Sequence, residues 1–217
     1  MSTDIDTLRR EAETPVFATA ADADAVAGDL CDAFADDVMF DWFLRDDARR
    51  DAVRARFFRF LIGKMAFGSG ALVERPASGG AAAVWLPFEA AGPNGLGTLI
   101  RAAPTMLAAT GLSRILRLMA VMEDMDRHHP MERRHAYLWF LGVARRAQGR
   151  GIGSRLLAVG TARLDAEDLP AYLETQTERN LALYQRFGFE IISKHHPRKD
   201  SPPLWSMWRE PGAGRHA

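Results

Sequence analysis

One stretch limits what this chain can fold into more than any other. From Tyr137 it reads YLWFLGV, then the loop QGRGIG, then an apolar-striped segment running to Leu164, then AYLETQT. A continuous apolar run bounded by turn residues reads as a buried strand, and glycines directly ahead of a 3.6-residue apolar period read as the entry to a helix. The spacing predicts a β-loop-α-β unit.

The loop Gln148-Gly149-Arg150-Gly151-Ile152-Gly153 sets several unsatisfied backbone N–H groups at a helix start, where glycine lets an anion come close. Such a nest suits a pyrophosphate. Arg145, Arg146, Arg150, Arg155 and Arg163 follow one another with no acid before Asp165, adding local positive charge to the positive end of the helix dipole. A tight turn with a solvated arginine face would look similar in glycine count alone; the placement and the arginines favour the phosphate site. A P-loop fails because Gly153 is followed by Ser154 and Arg155 rather than by Lys and Ser or Thr. A dinucleotide fingerprint fails on two details, although Glu174 imitates its acid: the last glycine counted from Gly149 would fall on Ser154, and Ala144 to Gln148 separate the strand from the first glycine.

Around this unit the pattern predicts a strand at 15–19, a helix over 21–37, and a second helix over 46–66 that ends at Gly68 and Gly70. A hairpin of strands 71–74 and 81–86 follows and stops at Pro87; residues 96–125 read as two short helices broken at Pro104 and Gly111. A short helix over 180–187 ends at Gly188, and strands at 189–192 and 204–208 flank a Pro-rich loop. No repeat or linker divides the chain, so the expectation is one domain over 14–211 with flexible tails at 1–13 and 212–217.

Charge and cysteine narrow the partners. Lys plus Arg and Asp plus Glu number 28 each, so nothing in bulk favours nucleic acid. The charge is uneven, with 14 acids against 5 bases in residues 1–51, which puts any local anion site later in the chain. Cys31 is alone and lies in an apolar and acidic helical pattern, where a small buried hydrophobe is expected and a thiolate is not. No run of 18 apolar residues and no export-type leader is found, so a cytoplasmic protein with no membrane partner is expected. His128-His129, His135 and His195-His196 lack HExxH or CxxC spacing and sit in polar, Pro-bearing segments; no metal is expected there. Trp139, Trp205 and Trp208 fall in strand patterns and read as packing.

Taken together, these residues resemble the GCN5-related N-acetyltransferase (GNAT) family. Its Q/R-x-x-G-x-G/A signature falls on Gln148, Gly151 and Gly153, and LET on the next strand, Asn180, Tyr184 and RFGF at 186–189 recur in the family's order. The likeness covers 135–190, and HHPMERRHAYLWFLGV and LETQTERNLALYQRFGF are similar to puromycin N-acetyltransferase-like members. The resemblance implies an α/β (α+β) fold: a mixed, mostly antiparallel sheet flanked by helices and splayed between the strands at 137–143 and 171–177. It implies that Leu141, Gly142 and Val143 offer backbone bonds to the pantetheine of acetyl-CoA. The amides of Gln148, Gly149, Arg150, Gly151, Ile152, Gly153 and Ser154 would hold its pyrophosphate. Asn180 and Tyr184, four apart and so on one helix face, would point at its sulfur, with Tyr184 protonating the leaving thiolate.

The implied reaction is direct attack of a primary amine on the acetyl thioester, without a covalent enzyme intermediate or a metal. An ammonium must lose a proton first, and Glu174 is the first candidate base, with Glu89, Glu123 and Asp126 left open. In the family the amine is met by the early helices and neighbouring loops. Here those regions bring carboxylates among aromatics, and Phe34, Asp41, Trp42 and Trp85 are the expected acceptor residues for a small cationic molecule. A non-catalytic acyl-CoA sensor and acetylation of a protein amine are the alternatives; members of the family are commonly homodimers.

Overall fold

The computed structural model describes residues 4–91 and 96–214. In chain order its elements are α1 (Ile5–Glu13), β1 (Val16–Phe17), α2 (Ala23–Ala33), α3 (Val38–Phe43), α4 (Arg50–Phe60), β2 (Leu72–Arg75) and β3 (Ala81–Leu86). Then come α5 (Phe88–Ala91), α6 (Leu96–His128), β4 (Ala136–Val143), α7 (Ile152–Ala166), β5 (Ala171–Thr175), α8 (Glu178–Arg186), β6 (Glu190–His195) and β7 (Leu204–Arg209).

The strands form one seven-stranded sheet in the order β1-β2-β3-β4-β5-β7-β6, antiparallel throughout except between β4 and β5. That parallel pair is joined by the α7 crossover, the connection such pairs need. It holds only at Ala136 with Ala171 and Tyr137 with Tyr172. Beyond those residues the two strands part, so the sheet is splayed at its middle, as expected.

Each face of the sheet has its own core. On one side α1 and α7 cover Trp85, Leu138 and Leu173 with Leu8, Ala12, Leu156 and Leu164. On the other, α2, α4 and α6 pack Leu30, Phe58 and Val121 against Val84 and Phe140. Gly142 sets the closeness of α2: a Cβ there would stand 2.6 Å from Leu30 Cδ2 and 3.0 Å from Ala33 Cβ.

Several expectations need correction. Residues 4–13 are not a tail. Ile5, Leu8 and Ala12 share one stripe of α1, Leu8 and Ala12 are buried, and Arg9 Nε donates to Arg150 O at 3.0 Å, so the helix braces the glycine loop. Residues 1–3 lie outside the described set. The helix expected over 21–37 stops at Ala33, because Asp37 starts a new one by accepting from the amides of Met39 and Phe40 at 3.0 Å each. Asp46 and Asp47 precede α4, which begins at Arg50 and continues as a π-turn over Leu61–Ala66.

In α6 the break falls at Gly111 alone (φ 65°, ψ 175°), a conformation essentially confined to glycine, while Pro104 lies inside the helix. Arg45 caps the first half there, its N and Nη1 donating to Ala109 O at 2.9 Å and Ala108 O at 3.1 Å. By length and composition Ala102–His128 is apolar enough to cross a membrane. At the other terminus Pro211–Gly214 is a turn, tied by Gly212 N to Asp165 Oδ1 at 2.7 Å and Arg209 Nη2 to Ala213 O at 2.6 Å. Residues 215–217 lie outside the described set.

Candidate active site

Where β4 and β5 part they leave a cavity of about 270 Å³. Its walls come from both strands and from the helices on the α2 side: Phe34, Phe40, Phe43 and Phe57, a methionine group of Met39, Met65, Met106, Met122 and Met125, and Leu141, Asn180 and Tyr184 at the β4 and α8 end. Three carboxylates reach this apolar space, Asp37, Asp126 and Glu174.

Strand geometry explains the position of Glu174. Alternate residues share a face, so Tyr172 and Glu174 look the same way, and Tyr137 joins them because it is the register partner of Tyr172. Tyr172 Oη lies 2.8 Å from Glu174 Oε1 and 3.0 Å from Ser206 Oγ, and the Tyr137 hydroxyl also interacts with the carboxyl. Glu174 Oε2 is buried and has no hydrogen-bond partner among the described residues. Burial pushes the Glu174 carboxyl up to about 7, against the lowering effect of the two tyrosines. A carboxyl of that kind is half ionised near neutral pH and has one oxygen free to take a proton. Burial likewise raises Asp37 and Asp126; Asp37 is engaged by the α3 amides and by Gln176 Nε2.

Tyr184 lines the cavity from α8 and is buried, which pushes its hydroxyl up to about 12 and keeps it protonated at neutral pH. Asn180, one turn earlier, lines the cavity too. β4 is paired with β3 as far as Val143 but with β5 only as far as Tyr137, so from Leu138 onward its second edge has no strand beside it. Past that edge lies the glycine loop. Gly149 (φ 70°) and Gly151 (φ 76°) adopt left-handed backbone, Gly151 as the N-cap of α7, so no Cβ from either residue covers the turn that opens the helix; the Arg155 guanidinium folds back beside it, Nη1 donating to Gly151 O at 3.1 Å. Gln148 turns its side chain inward, Nε2 donating to Val143 O at 3.0 Å, which fastens the loop to the end of β4. An open strand edge and a glycine-lined helix start fit the pantetheine and pyrophosphate of a coenzyme A thioester.

The structure redistributes other expected residues. Phe34 is in the cavity wall. Asp41 is not: it forms a half-exposed ion pair with Arg50. Trp42 packs beneath the Arg117 guanidinium, 5.2 Å from its ring centroid, outside the cavity lining. Trp85 faces the opposite side of the sheet, where its Nε1 donates to Glu74 Oε2 at 2.9 Å. Glu89 and Glu123 pair with Arg134 and Arg127 at the surface, and Asp126 alone of the open carboxylates reaches the cavity. Four of the five arginines are ion-paired: Arg145 with Asp32, Arg146 with Asp29, Arg155 with Glu13 and Arg163 with Glu74.

His128 ends α6 and His195 ends β6, whereas His129, His135 and His196 lie in the connecting segments. His129, His135 and His195 are buried, the first two with their Nε2 atoms 2.9 Å apart and the third between Asp124 and Ser206. Asp124, His128 and His195 bring donor atoms within 4.8 Å of one another. The two rings stack at 3.8 Å and 12°, so their in-plane lone pairs run side by side instead of converging on one cation.

Residues 98–189 match the family model described as the acetyltransferase (GNAT) family. Over 77 residues, 35% of this chain, the sequence is 35% identical to an uncharacterized N-acetyltransferase of Schizosaccharomyces pombe, and the match spans 31% of that protein's length. A crystal structure of a histone acetyltransferase HPA2 and related acetyltransferase from Corynebacterium glutamicum is similar at 27% identity and TM-score 0.67, over 91% of this chain and 96% of that one. The polyamine N-acetyltransferase of Drosophila melanogaster shares the fold at 15% identity and TM-score 0.59, over 90% of this chain and 99% of that one. Arylalkylamine N-acetyltransferase 2 of Aedes aegypti does so at 10% identity and TM-score 0.60, over 90% and 97%.

Proposed function

This chain belongs to the acetyltransferase (GNAT) family, and from that premise we propose that it moves an acetyl group from acetyl-CoA onto the primary amine of a small cationic molecule with an apolar body. The observation that carries the reading is Glu174, which lines the same cavity as Tyr184 of α8 and whose buried Oε2 has no hydrogen-bond partner among the described residues. An ammonium entering between aromatic and methionine walls finds Asp37, Asp126 and Glu174 as the charges that balance it.

In this mechanism Glu174 accepts the ammonium proton on Oε2, freeing the nitrogen lone pair to attack the thioester carbonyl. The unpaired edge of β4 from Leu138 orients the donor, and the amides of Gly149 to Ser154 hold its pyrophosphate. Tyr184 gives its proton to the departing thiolate and regains one from the acylated nitrogen, which sheds its second proton as the amide forms; the role is open to a hydroxyl that is still protonated at working pH. The folds shared with polyamine and arylalkylamine acetyltransferases support an amine acceptor.

The test is release of free thiol from acetyl-CoA across a panel of amines that includes polyamines, arylalkylamines, puromycin, amino acids and lysine peptides. Turnover concentrated on small amines with an apolar body is the expected result. Turnover of lysine peptides alone would move the acceptor to a protein, and binding of CoA without transfer to any amine would reduce the chain to a sensor.

A further inference from the structure

Behind Glu174 a row of polar side chains crosses an otherwise apolar part of the sheet. Ser206 is the register partner of Glu174 across the β5–β7 pair, and Ser193 on β6 is the partner of Ser206, with His195 two residues along. From Glu174 Oε1 the heavy-atom steps are 2.8 Å to Tyr172 Oη, 3.0 Å to Ser206 Oγ and 3.0 Å to His195 Nε2. His195 Nδ1 is hydrogen-bonded to Asp124 Oδ2. Tyr172, Ser206, Asp124 and His195 are all buried, whereas His128, stacked on His195, has 29% of its side chain exposed. The row thus starts at the cavity and ends where water reaches.

Such a row is costly to bury unless each member is bonded, and packing alone would be served by apolar residues. It also meets a need of the reaction. Each transfer leaves one proton on Glu174, in a cavity whose walls are mostly phenylalanine, leucine and methionine, and the amide product cannot carry that proton out.

We propose that Tyr172, Ser206, His195 and Asp124 form a proton exit path that returns Glu174 to its anionic form after each turnover. The proposal rests on the reading of Glu174 as the base. Glu174, protonated and turned about its Cγ–Cδ bond, donates to Tyr172 Oη; Tyr172 passes its own proton to Ser206 Oγ, and Ser206 passes its proton to His195 Nε2. His195 is then an imidazolium against the Asp124 carboxylate, and it loses its Nδ1 proton by way of Asp124 to water at the exposed edge of His128. No electrons move, and the net change is one proton from ammonium to solvent.

Among the described residues, titratable groups face the path from several elements: the rings of His129 and His135 pack against Tyr172 at 4.6 and 5.6 Å. Asp124 and His128 on α6, His196 on the adjoining chain and Ser206 on β7 surround His195, and Arg127 reaches Asp124 at 3.6 Å. Tyr137 and Asp126 face Glu174. Burial lowers His195 while Asp124 raises it, which suits a group that takes up a proton briefly.

Rapid-quench kinetics with acetyl-CoA and an accepted amine separate the path from the base. Ser206→Ala should keep the first turnover within about twofold of wild type and slow steady-state turnover by about tenfold or more, so that free CoA appears as a burst. Ser206→Thr, which restores the hydroxyl, should remove the burst. His195→Gln, cutting the far end, should repeat the Ser206→Ala pattern and stands in if that variant does not fold. Steady-state loss under about tenfold, or a loss shared equally by the first turnover, overturns the path. Glu174→Gln with an unchanged first turnover would overturn the base reading instead.

Discussion

Glu174 is one of 28 acidic residues in the sequence, and only its strand register makes it unlike the others. Its folded-state carboxyl titrates at about 7, above the ordinary 4.5, so folding favours the neutral form. The stability this gives is present below pH 4.5 and is lost as pH rises through 7. Glu174→Gln should therefore flatten the pH dependence of the unfolding free energy between pH 4.5 and 7 and raise that free energy, and with it the urea midpoint, at pH 8, by an amount on the order of 3 kcal/mol. A midpoint no higher than wild type at pH 8 contradicts this burial. Tyr184→Phe removes a hydroxyl only: kcat should fall by about 10²- to 10⁴-fold with CoA affinity by calorimetry unchanged, and weaker CoA binding would assign Tyr184 to the donor instead. That Glu174 and Tyr184 line the cavity was legible only through the family resemblance, since spacing alone favours a packed aromatic for Tyr184. Asp37 and Asp126 were harder to separate from Asp41 and Glu123, since a shift of a few residues along a helix or past its cap decides between cavity and solvent.

At the scale of elements, the β-loop-α-β unit was readable because an uninterrupted apolar run and three glycines leave few other folds. α1 was not, since acids and arginines crowd its short stripe and Ala12 is a weak hydrophobic signal. Trp85 shows a different limit: in a strand of alternating faces, with a register irregularity at Val84/Trp85, the sequence alone does not tell which face meets the cavity. The break in α6 sets Leu118, Val121, Met122 and Met125 against that cavity, and the bend depends on Gly111. Gly111→Ala meets no atom within 4 Å but must adopt a backbone that Ala avoids. It should cost about 1–3 kcal/mol, seen as a melting temperature lower by several degrees, with amine KM raised more than CoA affinity. An unchanged melting temperature would mean that the bend is not held where it is drawn.

Across the whole molecule, the early acids and the later arginines of the sequence meet. Glu13, Asp29 and Asp32 neutralise Arg155, Arg146 and Arg145 beside the loop. The charge asymmetry was plain in the sequence, but its pairing depends on α1 and α2 folding against the loop region. The buried histidines depend on contacts as long-range, Asp124 with His195 among them. His129 is pushed down to about 4 by burial and by His135, so the stability tied to its neutral form is present above pH 6.5 and lost as pH falls through 4. Its sign is opposite to that of Glu174. His129→Gln should lose less stability than wild type between pH 6.5 and 4 in urea unfolding; an equal loss would place the acid sensitivity elsewhere.

If acetyl transfer takes place in the splay cavity with Glu174 as base, the pH dependence of kcat/KM for an accepted amine must follow the ionisation of that carboxyl. Wild type should gain rate through an acid limb near pH 7, where Glu174 ionises, and Glu174→Gln should lose that limb together with about 10²-fold or more of the rate. An acid limb of unchanged position and height in Glu174→Gln would contradict the account.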